Sequence, residues 1–74
     1  MGRLASIQAL RTIKALVRLG WTVARVSGSH HILTRAGHPS VTIPVKKGAT
    51  LREGTARSIL KTAGINEDEF FEAY

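Results

Sequence analysis

The residues best equipped for chemistry are Gly28-Ser29-His30-His31, within VARVSGSHHILTR. A small flexible pair precedes two imidazoles, and Arg25 and Arg35 flank the stretch. Imidazole is the side chain whose ordinary titration range falls near neutrality, so it can both take and give a proton. Metal binding is one use of such a cluster. On a strand, however, His30 and His31 point to opposite faces. The third histidine, His38, precedes Pro39 in a turn-like stretch, and no carboxylate lies near any of the three. The chain also has no cysteine, so no metal site and no cofactor are expected. Acyl transfer by Ser29 and His30 would need spatial contact and an orienting acid, yet Glu53 is the only acid between Arg3 and Lys61. That scarcity also argues against paired-carboxylate catalysis. What remains is histidine in a cationic setting, which suits RNA cleavage by the substrate's own 2′-hydroxyl. The protein then moves a proton and stabilises the phosphorane with Lys, Arg and the backbone N–H groups of a Gly-Ser turn. The residues alone leave a second reading open, that of strand-edge histidines without a chemical role.

The charge distribution supports an anionic partner. The 74 residues include 11 Lys and Arg against 5 Asp and Glu, a net charge of +6. All the cations fall between Arg3 and Lys61, while Glu67, Asp68, Glu69 and Glu72 crowd the far end. The body is therefore more basic than the total suggests, as expected of a protein that meets nucleic acid, an anionic membrane or an acidic protein. The 43% apolar content suits a folded chain. The length suits one small domain across residues 1–74. No apolar run approaches the roughly 18 residues of a membrane span and no signal peptide is visible, so a cytoplasmic, membrane-free protein is the expectation.

The elements that must position these residues follow from periodicity. Ile7, Leu10, Ile13 and Val17 recur at helical spacing, widened by Leu16 and Leu19. Ser6 is placed to cap the helix and Gly20 to end it, with Arg11, Lys14 and Arg18 on the other side. Trp21, Val23 and Val26 read as a strand with imperfect alternation. Ser27-Gly28-Ser29 is a turn, His30 to Arg35 a second strand, Ala36 to Pro39 a hairpin loop, and Ser40 to Val45 a third strand. Pro44 marks an exposed edge or the exit of that strand. Lys46 to Thr50 forms a basic loop. A second helix begins near Gly54 or Thr55, with Ala56, Ile59, Leu60 and Ala63 inward, and stops at Gly64. Asn66 and Glu69 form a capping box, with Ile65 and Phe70 at the staple positions. The acids that follow Asn66 suit the positive end of a helix dipole. The expected fold is a two-layer α+β domain, α-β-β-β-α with a short C-terminal helix and a three-stranded antiparallel sheet.

The ordered set Gly20-Trp21, Arg25, Gly28-Ser29-His30-His31, Ile43-Pro44 and Gly54-Thr55-Ala56-Arg57-Ser58-Ile59-Leu60-Lys61-Thr62-Ala63-Gly64-Ile65 resembles the HicA family of bacterial toxins. The resemblance runs from the first helix to Phe70. It implies a fold similar to double-stranded-RNA-binding domains and a metal-independent mRNA interferase that arrests translation and growth. His30 would be the catalytic histidine. Gly28, Ser29, His31, Arg25, Lys46 and Lys47 would contact RNA. The implied partners are mRNA and a HicB-type antitoxin that covers the active site, with operator DNA reached only through the antitoxin complex. The family often carries a histidine shortly after the strand-three proline, where this chain has Val45-Lys46-Lys47. A lysine there can neutralise phosphate but is a poor proton donor near neutral pH. Two other readings compete. One is an RNA-binding module without chemistry, carried by Lys46, Lys47, Arg25 and Arg52. The other is an interaction protein whose basic surface meets an acidic partner.

Overall fold

The computed structural model describes residues 3–46 and 50–74. The elements run α1 (Ala9–Arg18), β1 (Thr22–Ser27), β2 (His30–Thr34), β3 (Val41–Pro44), α2 (Glu53–Ala63) and α3 (Glu67–Ala73). The strands form an antiparallel sheet in the order β1-β2-β3, so β3, with Pro44, is an edge strand as expected. Helices cover one face. The core joins Leu16 of α1, Leu33 and Ile43 of the sheet, Ile59 and Leu60 of α2, Phe70 of α3, and Trp21. Each such side chain, taken fully out of water, contributes about 1.5–3 kcal/mol. Among the described residues, no helix is long and apolar enough to cross a membrane.

Two details of α1 depart from the sequence expectation. Ser6 does not cap the helix; it lies in a left-handed turn at φ 61°. Ile7 and Gln8 are drawn into extended pairing instead, Gln8 bridging Thr50 and the Leu51 N–H donating to the Ile7 carbonyl at 2.7 Å. The helix therefore starts at Ala9, with Gln8 as an N-cap whose side chain makes no capping bond. The Gln8 N–H donates to the Tyr74 hydroxyl at 2.8 Å. The second departure is the buried stripe. Ala9, Thr12, Ile13, Ala15 and Leu16 are buried, whereas Leu10 and Val17 are 58% and 47% exposed. Small residues let α1 approach the sheet and α3 closely, and Leu10 and Val17 fall outside both contacts. Arg11, Lys14 and Arg18 are exposed as expected.

The close of α1 follows the sequence. Gly20 has φ 102°, and the Trp21 N–H donates to the Leu16 carbonyl while the Gly20 N–H donates to that of Val17. This Schellman pattern satisfies two carbonyls at the helix end and turns the chain into β1. Ala56, Ile59, Leu60 and Ala63 are the buried residues of α2, which begins at Glu53 and is capped by left-handed Gly64.

Helix α3 is built as its sequence demands. Asn66 accepts from the Glu69 N–H at 2.8 Å and Glu69 accepts from the Asn66 N–H at 3.3 Å, completing the capping box. Phe70 is fully buried. The acids at the start of α3 also meet Arg3, whose Nη2 lies 3.0 Å from Asp68. Arg11 and Arg18 of α1 donate to the carbonyls of Tyr74 and Ala73. Asn66→Ala removes a side-chain cap and is expected to cost about 0.5–2 kcal/mol. A fall in urea midpoint at unchanged slope would show it, whereas no shift would mean that Phe70 packing alone holds α3.

Candidate nucleic-acid interface

The first hairpin positions the two histidines. Ser27 pairs with His30, leaving Gly28 and Ser29 as a two-residue turn. Gly28 has φ 58° and Ser29 is not left-handed. A positive φ at the first central position is what a type II′ hairpin turn requires, and glycine adopts it without steric cost. On the other side of β2, His30 pairs with Pro44 and His31 with Ile43. The Val45 N–H donates to the Ser29 carbonyl, which ties the turn to the exit of β3.

Alternation then separates the imidazoles. Leu33, Val41 and Ile43 are buried against the helices. His31 shares their parity and is half-buried, whereas His30 is exposed on the open face. The His31 Nδ1 is out of contact with water and has no hydrogen-bond partner. The imperfect alternation of β1 has a structural cause. The register shifts between Val23 and Arg25, so Ala24 forms a bulge and Val23 and Val26 both face the helix side. Helix α1 touches β1 but covers it incompletely, and Val23 and Val26 stay 37% and 56% exposed.

Arg25 pairs with Ile32 and so lies on the open face, diagonal to His30. Gly28 and Ser29 stand beside it. Lys46 lines a cleft with Pro44, Thr50, Leu51, Arg52 and Thr55, starting at the strand next to His30. Lys47 lies outside the described residues. The structure thus gathers Arg25, Gly28, Ser29 and His30 around one end of the open face, with Lys46 bordering it. It turns His31 to the other face. His38 is remote, at the opposite end of the sheet with its ring 5.5 Å from that of Trp21. Thr50 and Thr55 were not singled out from sequence. The signal for Thr55 is a polar stripe on α2, Thr55, Ser58 and Thr62, at helical spacing outside the apolar one, whereas Thr50 precedes the helix and carries no such signal.

The charges sort themselves along the molecule. Among the described residues, ion pairs join Arg3 to Glu67 and Asp68, and Arg57 to Glu53. Arg25, Lys46 and Arg52 meet no carboxylate there, so the His30 end keeps its positive potential. Among the described residues, no group of three potential ligands is placed to hold a metal ion.

A family model described as the HicA toxin of bacterial toxin–antitoxin systems matches residues 11–65. The chain belongs to the HicA toxin family. The match takes in all three strands, the Gly28-Ser29 turn, both adjacent histidines and α2. Comparison with curated proteins finds no match. Membership makes this chain a toxin-type component of a toxin–antitoxin system, with an antitoxin as its general class of partner.

Two substitutions on the helix face of β2 are expected to act in opposite directions. His31→Leu replaces a half-buried imidazole that has an unpartnered nitrogen, and is expected to hold or raise stability, by about 1 kcal/mol. Leu33→Ala on the same face is expected to cost about 2–5 kcal/mol. Thermal and urea melts of both variants check the orientation, and a destabilised His31→Leu would contradict it.

Proposed function

We propose that this HicA family member is a metal-independent endoribonuclease toxin that cleaves mRNA, with His30 as the catalytic histidine. The observation that carries the reading is the exposure of His30 on the open sheet face, between the Gly28-Ser29 turn and the Pro44 edge, where uncompensated cations gather. An RNA strand on that face brings its own nucleophile. The 2′-oxygen attacks the adjacent phosphorus as its proton is taken up. The bond from phosphorus to the 5′-oxygen breaks, and that oxygen gains a proton as it leaves. The products are a 2′,3′-cyclic phosphate and a 5′-hydroxyl end. His30 serves one of these proton transfers and water completes the other. Arg25, Lys46 and the backbone N–H groups of the Gly28-Ser29 turn are at hand to meet charge on the phosphorane. Gly28 and Ser29 shape the turn that the strand crosses. His31 supports the reading from beneath, holding β2 on the core face rather than meeting the RNA. Lys47 follows Lys46 in sequence and is included in the proposed RNA-contacting set on its charge alone.

The same surface suits a HicB-type antitoxin. A partner that covers the open face would exclude RNA from His30, and the complex would be the form that reaches operator DNA. Translation and growth arrest in the cytoplasm would follow from mRNA loss when the antitoxin is absent.

The test is expression of wild type and His30→Ala with cellular mRNA integrity followed on gels, and circular dichroism of both purified proteins. His30 is exposed, so the variant is expected to fold normally. Loss of general acid–base catalysis is worth about 10²–10⁴ in rate. Equal cleavage by both proteins would overturn the assignment. Salt-sensitive binding without cleavage by either would instead favour a non-catalytic RNA-binding module.

A further inference from the structure

Beyond the His30 end, the outer edge of β3 faces α2 across a shallow groove. Its first part is the cleft bordered by Lys46 and Arg52. A second hollow continues along the same strand and helix, lined by Ser40, Val41, Thr42, Ser58, Ile59 and Thr62. Strand β3 pairs only with β2, so no strand among the described residues occupies this edge. The groove has a definite chemistry. Two cations stand at the end near His30, and the hydroxyls of Thr50, Thr55, Thr42, Ser58, Thr62 and Ser40 follow. Glu53 is held by Arg57 and does not line either part. The aromatic residues, Trp21, Phe70, Phe71 and Tyr74, lie elsewhere, so bases would find no stacking platform there.

We propose that this groove carries the sugar–phosphate backbone of the RNA strand as it leaves the His30 site. Cations and short hydroxyl side chains are the groups that contact phosphate and sugar without reading sequence. The groove adds affinity and fixes the strand's path, and it contributes no base preference. From Ser40 to Lys46 it extends roughly 20 Å at about 3.3 Å per residue, long enough for several nucleotides beyond the scissile one. A trench between one strand edge and one helix takes a single strand. This rests on the reading of the open face as an RNA site and extends it to the substrate's flanking segment.

Ser58 and Thr62 are exposed helix positions outside the cationic end, which makes them clean probes. Fluorescence anisotropy is run in the His30→Ala background, where RNA stays intact, with single-stranded oligonucleotides of about 12 and about 4 nucleotides, within the range of single-strand site sizes. Ser58→Glu with Thr62→Glu lowers the net charge by two, and Lys14→Glu on α1 lowers it equally. The Glu pair is expected to weaken binding of the longer RNA about tenfold or more and to leave the shorter nearly unaffected. It should also reduce the salt slope by roughly 0.7 for each phosphate that the groove no longer neutralises. Ser58→Lys with Thr62→Lys should tighten the longer RNA, which keeps the test valid if the Glu pair disturbs folding. The groove assignment is overturned if the Glu pair weakens binding no more than Lys14→Glu, or weakens both lengths equally. If neither oligonucleotide binds the parent protein, the RNA reading of the open face falls as well, an outcome distinct from loss of the groove alone.

Discussion

The pairing register of β2 decides which of the two adjacent histidines reaches the open face of the sheet. Leu33 and Ile43 are completely buried on the helix face, and they lock β2 and β3 into one alignment. Because side chains alternate with a period of two, a slip of one residue would bring His31 outward and send His30 under the helices. Apolar burial on one face thus sets a polar group on the other. The two-residue turn at Gly28 and the ladder bond from Val45 to the Ser29 carbonyl hold the same register at the end where it matters.

The helices serve that sheet unevenly. Both α1 and α2 pack against β3, whereas β1 meets only α1 and is covered incompletely, so Val23 and Val26 remain exposed. Helix α3 packs on α1 through Phe70 and the Tyr74 ring, with the Arg11 guanidinium 4.0 Å from the centre of that ring. Tyr74 also supplies the hydrogen-bond partner that Gln8 needs at the start of α1. A residue at one end of the chain therefore satisfies the helix start that Ser6, close in sequence, does not.

Electrostatics divides the molecule in the same direction. The acids of α3 suit the start of their own helix and draw Arg3 to them, while among the described residues Arg25 and Lys46 form no ion pair. Segregation of this kind spares the His30 end from internal neutralisation and gives an anionic ligand a direction of approach.

The sequence by itself determined the element order, because the signals are local. Glycines at helix ends, the Asn66–Glu69 box, the apolar spacing of α2 and the Gly-Ser turn each act within a few residues. It also singled out the adjacent histidines and placed them on opposite faces, since strand geometry requires it. It could not say which face was open, because that depends on which side the helices cover. The tertiary structure decided that His30 is the outward one. It moved the start of α1 to Ala9 because Ile7 and Gln8 gain more from pairing with Thr50 and Leu51 than from continuing the helix. It exposed Leu10 and Val17, whose spacing alone matched a core stripe, because α3 and the sheet together approach only the side marked by Ala9, Thr12 and Ala15. It also brought the hydroxyl stripe of α2 against the edge of β3, a pairing of distant segments that no local pattern encodes.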